Sequence, residues 1–229
     1  MILKCLGTGS HGNCYLLKSK NDILILDCGL KLNEIITDKF IGSLSNIKCC
    51  LITHSHKDHN KSEKEIALCG IPMLTYNNLI INKKNIYGNF EIMPFKLFHD
   101  CICYGFLIRD RETKEIICYA TDTYKLPLIS NVDYWLVECN YCEDILDNSL
   151  SYENANYSYI ERLRRTHMGD KFLYEYFGNL RDKPKKVLLC HQSNSNNYDS
   201  NIAMKYLKEV LCDVEDIKPN NEYVLKGSD

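Results

Sequence analysis

The chain has 229 residues, 45% of them hydrophobic, with 28 basic against 30 acidic side chains for a net charge of −2. That length and apolar fraction suit one globular domain over residues 1–229 with a sizeable core, and the near-neutral charge excludes a protein that coats a long phosphate backbone while leaving room for a local basic patch. No run reaches the roughly 18 apolar residues of a membrane span, and MILKCLGTGSHGN lacks the basic-then-apolar order of a secretion signal, so a cytoplasmic protein with no membrane partner is expected.

In chain order, ILKCLG and NCYLLKS flank a glycine-rich turn, and NDILILDCG follows as a buried strand ended by glycine. IKCCLIT, IPMLTY, FEIMPFKLF, YGFLIRD, KEIICYAT, VDYWLVEC and KKVLLCH read as further strands. Helices are expected over LKLNEIITDKF, NKSEKEIALC, YSYIERLRRT, GDKFLYEYFGN and DSNIAMKYLKEVL, the last carrying Ile202, Met204, Leu207, Val210 and Leu211 on its apolar positions. An α/β (α+β) sandwich, two β-sheets face to face with helices outside, satisfies this order, and no linker or internal repeat divides the chain. The thirteen cysteines are odd in number, and Cys49, Cys50, Cys118, Cys139 and Cys190 sit in apolar strand-like runs. Reduced core thiols are therefore expected rather than a disulfide framework. Cys101-Ile-Cys103 is a candidate soft-metal pair, but no second cysteine pair stands at zinc-site spacing, which favours packing.

One stretch concentrates chemistry. LITHSHKDHN places His54, His56, Asp58 and His59 within six positions, in a chain with seven histidines in all. In an extended segment His54 and His56 point the same way and can reach one metal ion, while Asp58 and His59 begin a turn into a helix and can reach a second. The helix start adds positive potential suited to an anion. The plain alternative is a polar loop at a strand end.

His-Ser-His-Lys-Asp-His resembles the His-x-His-x-Asp-His signature of the metallo-β-lactamase fold, and the resemblance runs over essentially the whole chain. GTGSHGNCYLL followed by ILILDCGL is similar to that family's first strands. Phe98-His99-Asp100 followed by GFLI resembles the region of its third histidine, YATDT its aspartate motif at Asp122, and LLCHQS its final ligand at His191. Within the fold, the set is similar to the YycJ-type (WalJ) nucleases, which carry His-Asp, Thr-Asp-Thr, Glu-x-Asn (here Glu138 to Asn140) and His-x-Ser-x-x-Asn-Asn (here His191 to Asn197). PhnP-type phosphodiesterases and RNase Z share the ligand arrangement more distantly.

The resemblance implies an αββα sandwich with two divalent ions, Zn²⁺ or Mn²⁺. His54, His56 and His99 would hold one ion, Asp58, His59 and His191 the other, with Asp122 between them. The residue-level alternatives are a strand-end histidine for His99 and a helix cap for Asp122, whereas His191 closes an apolar strand where an unpartnered ring would be costly. A water between two such ions loses a proton near neutral pH and becomes the nucleophile. The resemblance further makes His167 the general acid, with Asp58 as a catalytic ligand and Glu138 orienting His167 or a ligand. His11, Asn140, Arg165 and Ser193 are candidate substrate contacts, His11 being equally a plain turn residue. Two departures stand out: Tyr124 follows Thr123 where relatives often have glycine, and Thr166-His167-Met168-Gly169 stands where Gly-His-Leu-Ser is usual. No Gly/Pro-rich insertion like the transfer-RNA-gripping arm of RNase Z is present, so processing of transfer RNA is not expected.

Three functions follow: a YycJ-type nuclease acting on DNA, a phosphodiesterase for a small cyclic or modified nucleotide, and a non-catalytic metal-stabilised binding protein. A complete ligand set speaks against the third. Arg162, Arg164, Arg165 and Lys171 near His167 supply charge for a few phosphates but not for a long duplex. A homodimer is a further candidate assembly.

Overall fold

In the computed structural model, which describes residues 1–152, 156–193 and 197–226, the apolar runs fold as two sheets. The first contains β1 Ile2–Gly7, β2 Cys14–Ser19, β3 Asp22–Leu26, β4 Ile47–Ile52, β5 Met73–Thr75 and β13 Glu222–Val224, in the order β13-β1-β2-β3-β4-β5. The second contains β6 Asn85–Tyr87, β7 Phe90–Lys96, β8 Tyr104–Asp110, β9 Ile116–Ala120, β10 Tyr134–Glu138, β11 Lys186–Cys190 and β12 Val214–Asp216, in the order β12-β11-β10-β9-β8-β7-β6. Both are mixed. β3, β4 and β5 run parallel, as do β9, β10, β11 and β12, and the remaining pairs are antiparallel.

Alternation along each strand assigns the faces. Leu3, Tyr15, Leu24 and Leu51 of the first sheet meet Phe106, Ile117, Tyr119 and Leu136 of the second in the central core. The other face of the first sheet, with Leu16, Ile25 and Ile52, packs against Ile35 of α1 Leu32–Ile36 and Ile66 of α3 Glu63–Leu68. On the far side, Trp135, Val137, Val187 and Leu189 pack against α6 Asp170–Asn179 and α7 Ser200–Leu207. The arrangement is thus the expected αββα sandwich, and burial on both faces is why β10 and β11 read as continuous apolar runs rather than alternating ones. All thirteen cysteines are free, ten of them buried, which agrees with reduced core thiols. Among the described residues no helix is long and apolar enough to cross a membrane.

Differences from the expected elements are local. The helix expected over NKSEKEIALC is shortened to α3 and is preceded by a separate turn, α2 Lys57–Asn60; Ser62 between them donates its backbone N–H to Cys28 O at 3.0 Å and its hydroxyl to Leu30 O. α2 is therefore a single turn with His56 at its N-cap, too short for the helix-dipole potential expected there. The helix over DSNIAMKYLKEVL ends at Leu207, and α4 Glu143–Ser149 and the three-residue strands β6, β12 and β13 were not expected. α5 covers Tyr157–Thr166, the full expected run, with Asn156 Oδ1 accepting from Tyr159 N at 3.0 Å as its cap.

Candidate metal centre

The site is built where β3, β4, β9, β10 and β11 end, the side of a parallel sheet region at which ligand sites usually form. Asp27, Asp122 and His191, each just past a strand, have φ of 57°, 53° and 52°, the left-handed region that non-glycine residues avoid. Such strain costs about 1–3 kcal/mol per residue and persists where the surroundings over-determine it, typically at functional sites.

His54 is fully buried after β4. Thr53 Oγ1 lies 3.0 Å from its Nδ1, and its Nε2 has no hydrogen-bond partner among the described residues. His99 donates Nδ1–H to Thr166 O at 3.0 Å, and its Nε2 is 3.4 Å from His56 Nδ1. One ligand atom from each of His54, His56 and His99 falls within 4.8 Å of the others, and Cys101 joins that group. A second group of the same tightness comprises Asp58, His59 and His191. Asp58 Oδ2 is 3.5 Å from His59 Nε2 and 3.6 Å from His191 Nε2, and the latter nitrogen likewise has no hydrogen-bond partner among the described residues. Asp122 stands between the groups: its Oδ2 is 3.1 Å from His59 Nε2 and 3.6 Å from His191 Nδ1, and it also clusters with His54. Two orphaned imidazole nitrogens in a nitrogen- and carboxylate-rich cluster fit divalent cations, since a buried unpartnered nitrogen is otherwise costly.

Outer contacts hold these groups. Asp27 ends the apolar run ILILD, a pattern that marks a strand end and not a site residue. Its Oδ2 accepts from His59 Nδ1–H at 2.7 Å and from Tyr119 OH at 2.5 Å, and its Oδ1 accepts from Thr53 N at 2.8 Å, so the His59 ring is fixed with Nε2 facing the cluster. Glu138, fully buried at the end of β10, accepts from Thr123 N at 2.6 Å and from His167 Nδ1–H at 2.9 Å. His167 sits between α5 and α6 as the C-cap of α5.

The motif loop is also locked from below. Asn13 N donates to Asp58 O at 2.7 Å and Cys28 N to His59 O at 2.8 Å, and a Cβ on Gly29 would collide with the Asp58 carbonyl. Gly29→Ala is therefore expected to displace the Asp58-His59 turn and weaken metal binding by tenfold or more (~1.4 kcal/mol), which metal titration of the purified variant would measure; unchanged affinity would show that the turn tolerates the shift.

Electrostatics divide the histidines. Burial, reinforced by neighbouring His59, holds the His54 pKa well below the usual histidine range, and burial also lowers that of His99. Burial alone would lower His59 and His191 too, but the Asp122 carboxylate, helped by Asp27 at His59 and by Asp58 and Glu138 at His191, holds both up, His191 at about 10. Asp58 and Asp122 are lowered in turn, burial being outweighed by His191 and His59. In the metal-free chain the raised histidines contribute stability that is present below their ordinary 6.5 and is lost as pH climbs, for His191 toward about 10. The lowered carboxylates contribute stability present above their ordinary 3.8 and lost as pH falls through their depressed values. Metal-free protein should thus lose thermal stability between pH 6.5 and about 10. Metal entering beside His59 and His191 near neutral pH should release protons, while entry beside His54 should not displace one from that ring. Dye-monitored proton release during Zn²⁺ titration checks this, and uptake without proton release would contradict it.

A cavity of about 210 Å³ opens over the cluster, lined by His56, Asp58, His99, Asp122, His167 and His191 together with Ser10, Asn140, Tyr159, Arg162 and Ser193. Of the candidate substrate contacts, Asn140 and Ser193 line it, Asn140 Nδ2 donating to His191 O at 2.9 Å. His11 is exposed in its turn, and its neighbour Ser10 lines the cavity instead. Arg165 pairs with Glu161 at 2.5 Å and lines an adjacent hollow, whereas Arg162 lines the cavity itself, stacked over Tyr159 at 5.6 Å from the ring centroid. Asn194, Ser195 and Asn196 of the last motif lie outside the described residues.

No family model matches the sequence. Exodeoxyribonuclease WalJ of Streptococcus pneumoniae is 22% identical over 230 aligned positions, covering 84% of this chain and 81% of that protein. The crystal structure of YhfI from Bacillus subtilis, a metallo-β-lactamase fold protein, superposes with a TM-score of 0.72 at 17% identity, over 97% of this chain and 98% of that one. The short form of human tRNase Z superposes with a TM-score of 0.60 at 13% identity, over 99% and 100% of the two chains. Likeness of this degree carries architecture rather than activity: the chain has the metallo-β-lactamase fold.

Proposed function

We propose that the chain is a dinuclear metal-dependent phosphodiester hydrolase that acts on DNA ends, as the name of exodeoxyribonuclease WalJ states for that relative. The observation that carries this reading is the convergence on one cavity of two metal-ligand groups and a histidine held by a buried carboxylate. When bound, two Zn²⁺ or Mn²⁺ ions would supply an activated water and neutralise phosphoryl charge. His54, His56 and His99 would hold the first ion and Asp58, His59 and His191 the second, with Asp122, which clusters with His59 and with His191, as a donor available to either. Glu138 accepts a hydrogen bond from His167 Nδ1–H, which leaves Nε2 as the nitrogen that carries a proton to the leaving oxygen. Asp58, which would be one of the second ion's ligands, lines the cavity.

Charge around the cavity narrows the substrate. Arg164 pairs with Glu143 and Asp147, Arg165 with Glu161 and Lys171 with Asp144, so Arg162 is the one of these four cations with no ion-pair partner among the described residues. A single arginine at the rim, stacked on a tyrosine, suits the terminal phosphodiester of a strand better than a duplex lying along a basic groove. The same observation supports a second reading, a small cyclic or modified nucleotide. Metal-loaded protein offered linear duplex, single strands, closed circular DNA and cyclic nucleotides separates the two. Shortening of linear DNA with circles left intact is expected. Hydrolysis confined to cyclic nucleotides would transfer the site to the second reading, and hydrolysis of none would overturn the enzymatic one.

A further inference from the structure

The two cysteines of Cys101-Ile-Cys103 have different surroundings. Cys103 is buried, packs with Leu97 and Ala120, and directs Sγ toward Thr121 O at 3.8 Å. Cys101 is half-exposed in the loop after His99, and its Sγ lies within 4.8 Å of ligand nitrogens of His54, His56 and His99. In the same group His54 is fully buried and its Nε2 has no hydrogen-bond partner among the described residues, so the cluster already presents a donor that needs a cation. Three imidazoles and a sulfur form a borderline-soft set that suits Zn²⁺ or Co²⁺ and disfavours Mn²⁺, whose preference is for oxygen.

We propose that Cys101 is a further protein ligand, beside Asp122, of the ion that His54, His56 and His99 would hold, and sets that site's preference for Zn²⁺ over Mn²⁺. On binding, the S–H bond breaks, the proton passes to solvent and the sulfur electron pair goes to the ion, with no change of oxidation state. Asp100 is the competing donor: its Oδ1 is 3.4 Å from His56 Nε2 and 3.3 Å from His99 Nε2, but it offers oxygen rather than sulfur. The inference rests on metal binding at the cluster and not on the nature of the phosphodiester.

Cobalt reports the difference by absorption. The Co²⁺-loaded chain is expected to show an intense near-ultraviolet thiolate-to-cobalt band beside the weaker visible bands. Cys101→Ala and Cys101→Ser should keep the bound ions and visible bands, lose the thiolate band, and lower the Zn²⁺-over-Mn²⁺ preference in competition by tenfold or more, about 1.4 kcal/mol. A native cobalt protein without the thiolate band, or a band that persists in Cys101→Ala, would overturn the assignment. If neither variant folds, alkylation of Cys101 in the native chain, mapped by mass spectrometry, decides: Zn²⁺ should protect the thiol, and equal labelling with and without Zn²⁺ would reject ligation. Because none of these readouts uses hydrolysis, their outcome stands apart from that of the substrate panel.

Discussion

Replacing His167 with alanine is expected to slow hydrolysis of a phosphodiester with a poor leaving group by roughly 10²–10⁴-fold while both ions and the fold remain. His167 is partly open to the cavity, and its backbone N–H stays bonded to Leu163 O at 2.9 Å whatever the side chain, so truncation leaves α5 capped. Its ring is oriented by Glu138, which is itself anchored by the Thr123 amide. On the proposed reading that arrangement would serve proton delivery, which matters only when the departing oxygen needs a proton. With nitrophenolate as leaving group the loss should shrink toward unity. Equal losses on both leaving groups, with metal content unchanged, would assign His167 to substrate positioning instead. Loss of metal would show that its contact with Asp122, 3.8 Å from Nδ1, places it among the ligands.

Asp122→Ala should cost more and cost it differently. The carboxylate is buried between the two groups and tied to Thr121 Oγ1 at 2.7 Å, and it is the leading influence that holds the His59 and His191 pKa values up. On the proposed reading its removal would take a donor from both ions, and it would leave two buried imidazoles without the charge that matches their protons. Metal content is expected to fall from two ions per chain to one or fewer. kcat/KM should drop on the order of 10³-fold or more, about 4 kcal/mol of transition-state stabilisation, for good and poor leaving groups alike. Asp58→Ala should remove the second ion and leave the first, because Asp58 groups with His59 and His191 and not with His54 and His56. Metal analysis beside kinetics on two leaving groups checks both; a variant of either aspartate that keeps two ions would contradict its place in the cluster.

What the sequence made legible was whatever is local and periodic. The run Tyr157–Thr166 reads as a helix from the sequence, and in the structure Asn156 caps it while Ile160 and Leu163 share its buried face. The motif at His54–His59 is likewise compact enough to announce itself, and the two-sheet sandwich follows from apolar runs too continuous for solvated strands. The rest depends on long-range contact. β6, β12 and β13 are three residues each, too short for a period to be read. Asp27 reaches His59 across 32 positions, a link that the ILILDCG pattern marks only as a strand end. On α5, helical spacing places Arg162 and Arg165 on one side. Which of them faces the cavity is set by the packing of Leu163 and Ile160, and the Arg165–Glu161 pair then holds Arg165 away. Cys101 and Cys103 pair by their closeness in sequence, but the loop after His99 separates their environments.

The most direct test of the account is the number of ions the cluster holds. Purified chain stripped with a chelator, saturated with Zn²⁺ or Mn²⁺ near neutral pH, freed of unbound metal and analysed by mass spectrometry should carry close to two ions. As pH is lowered, the ion beside His59 and His191 should be lost first, since protons compete most strongly there. A content that never exceeds one ion per chain with either metal would contradict the dinuclear centre.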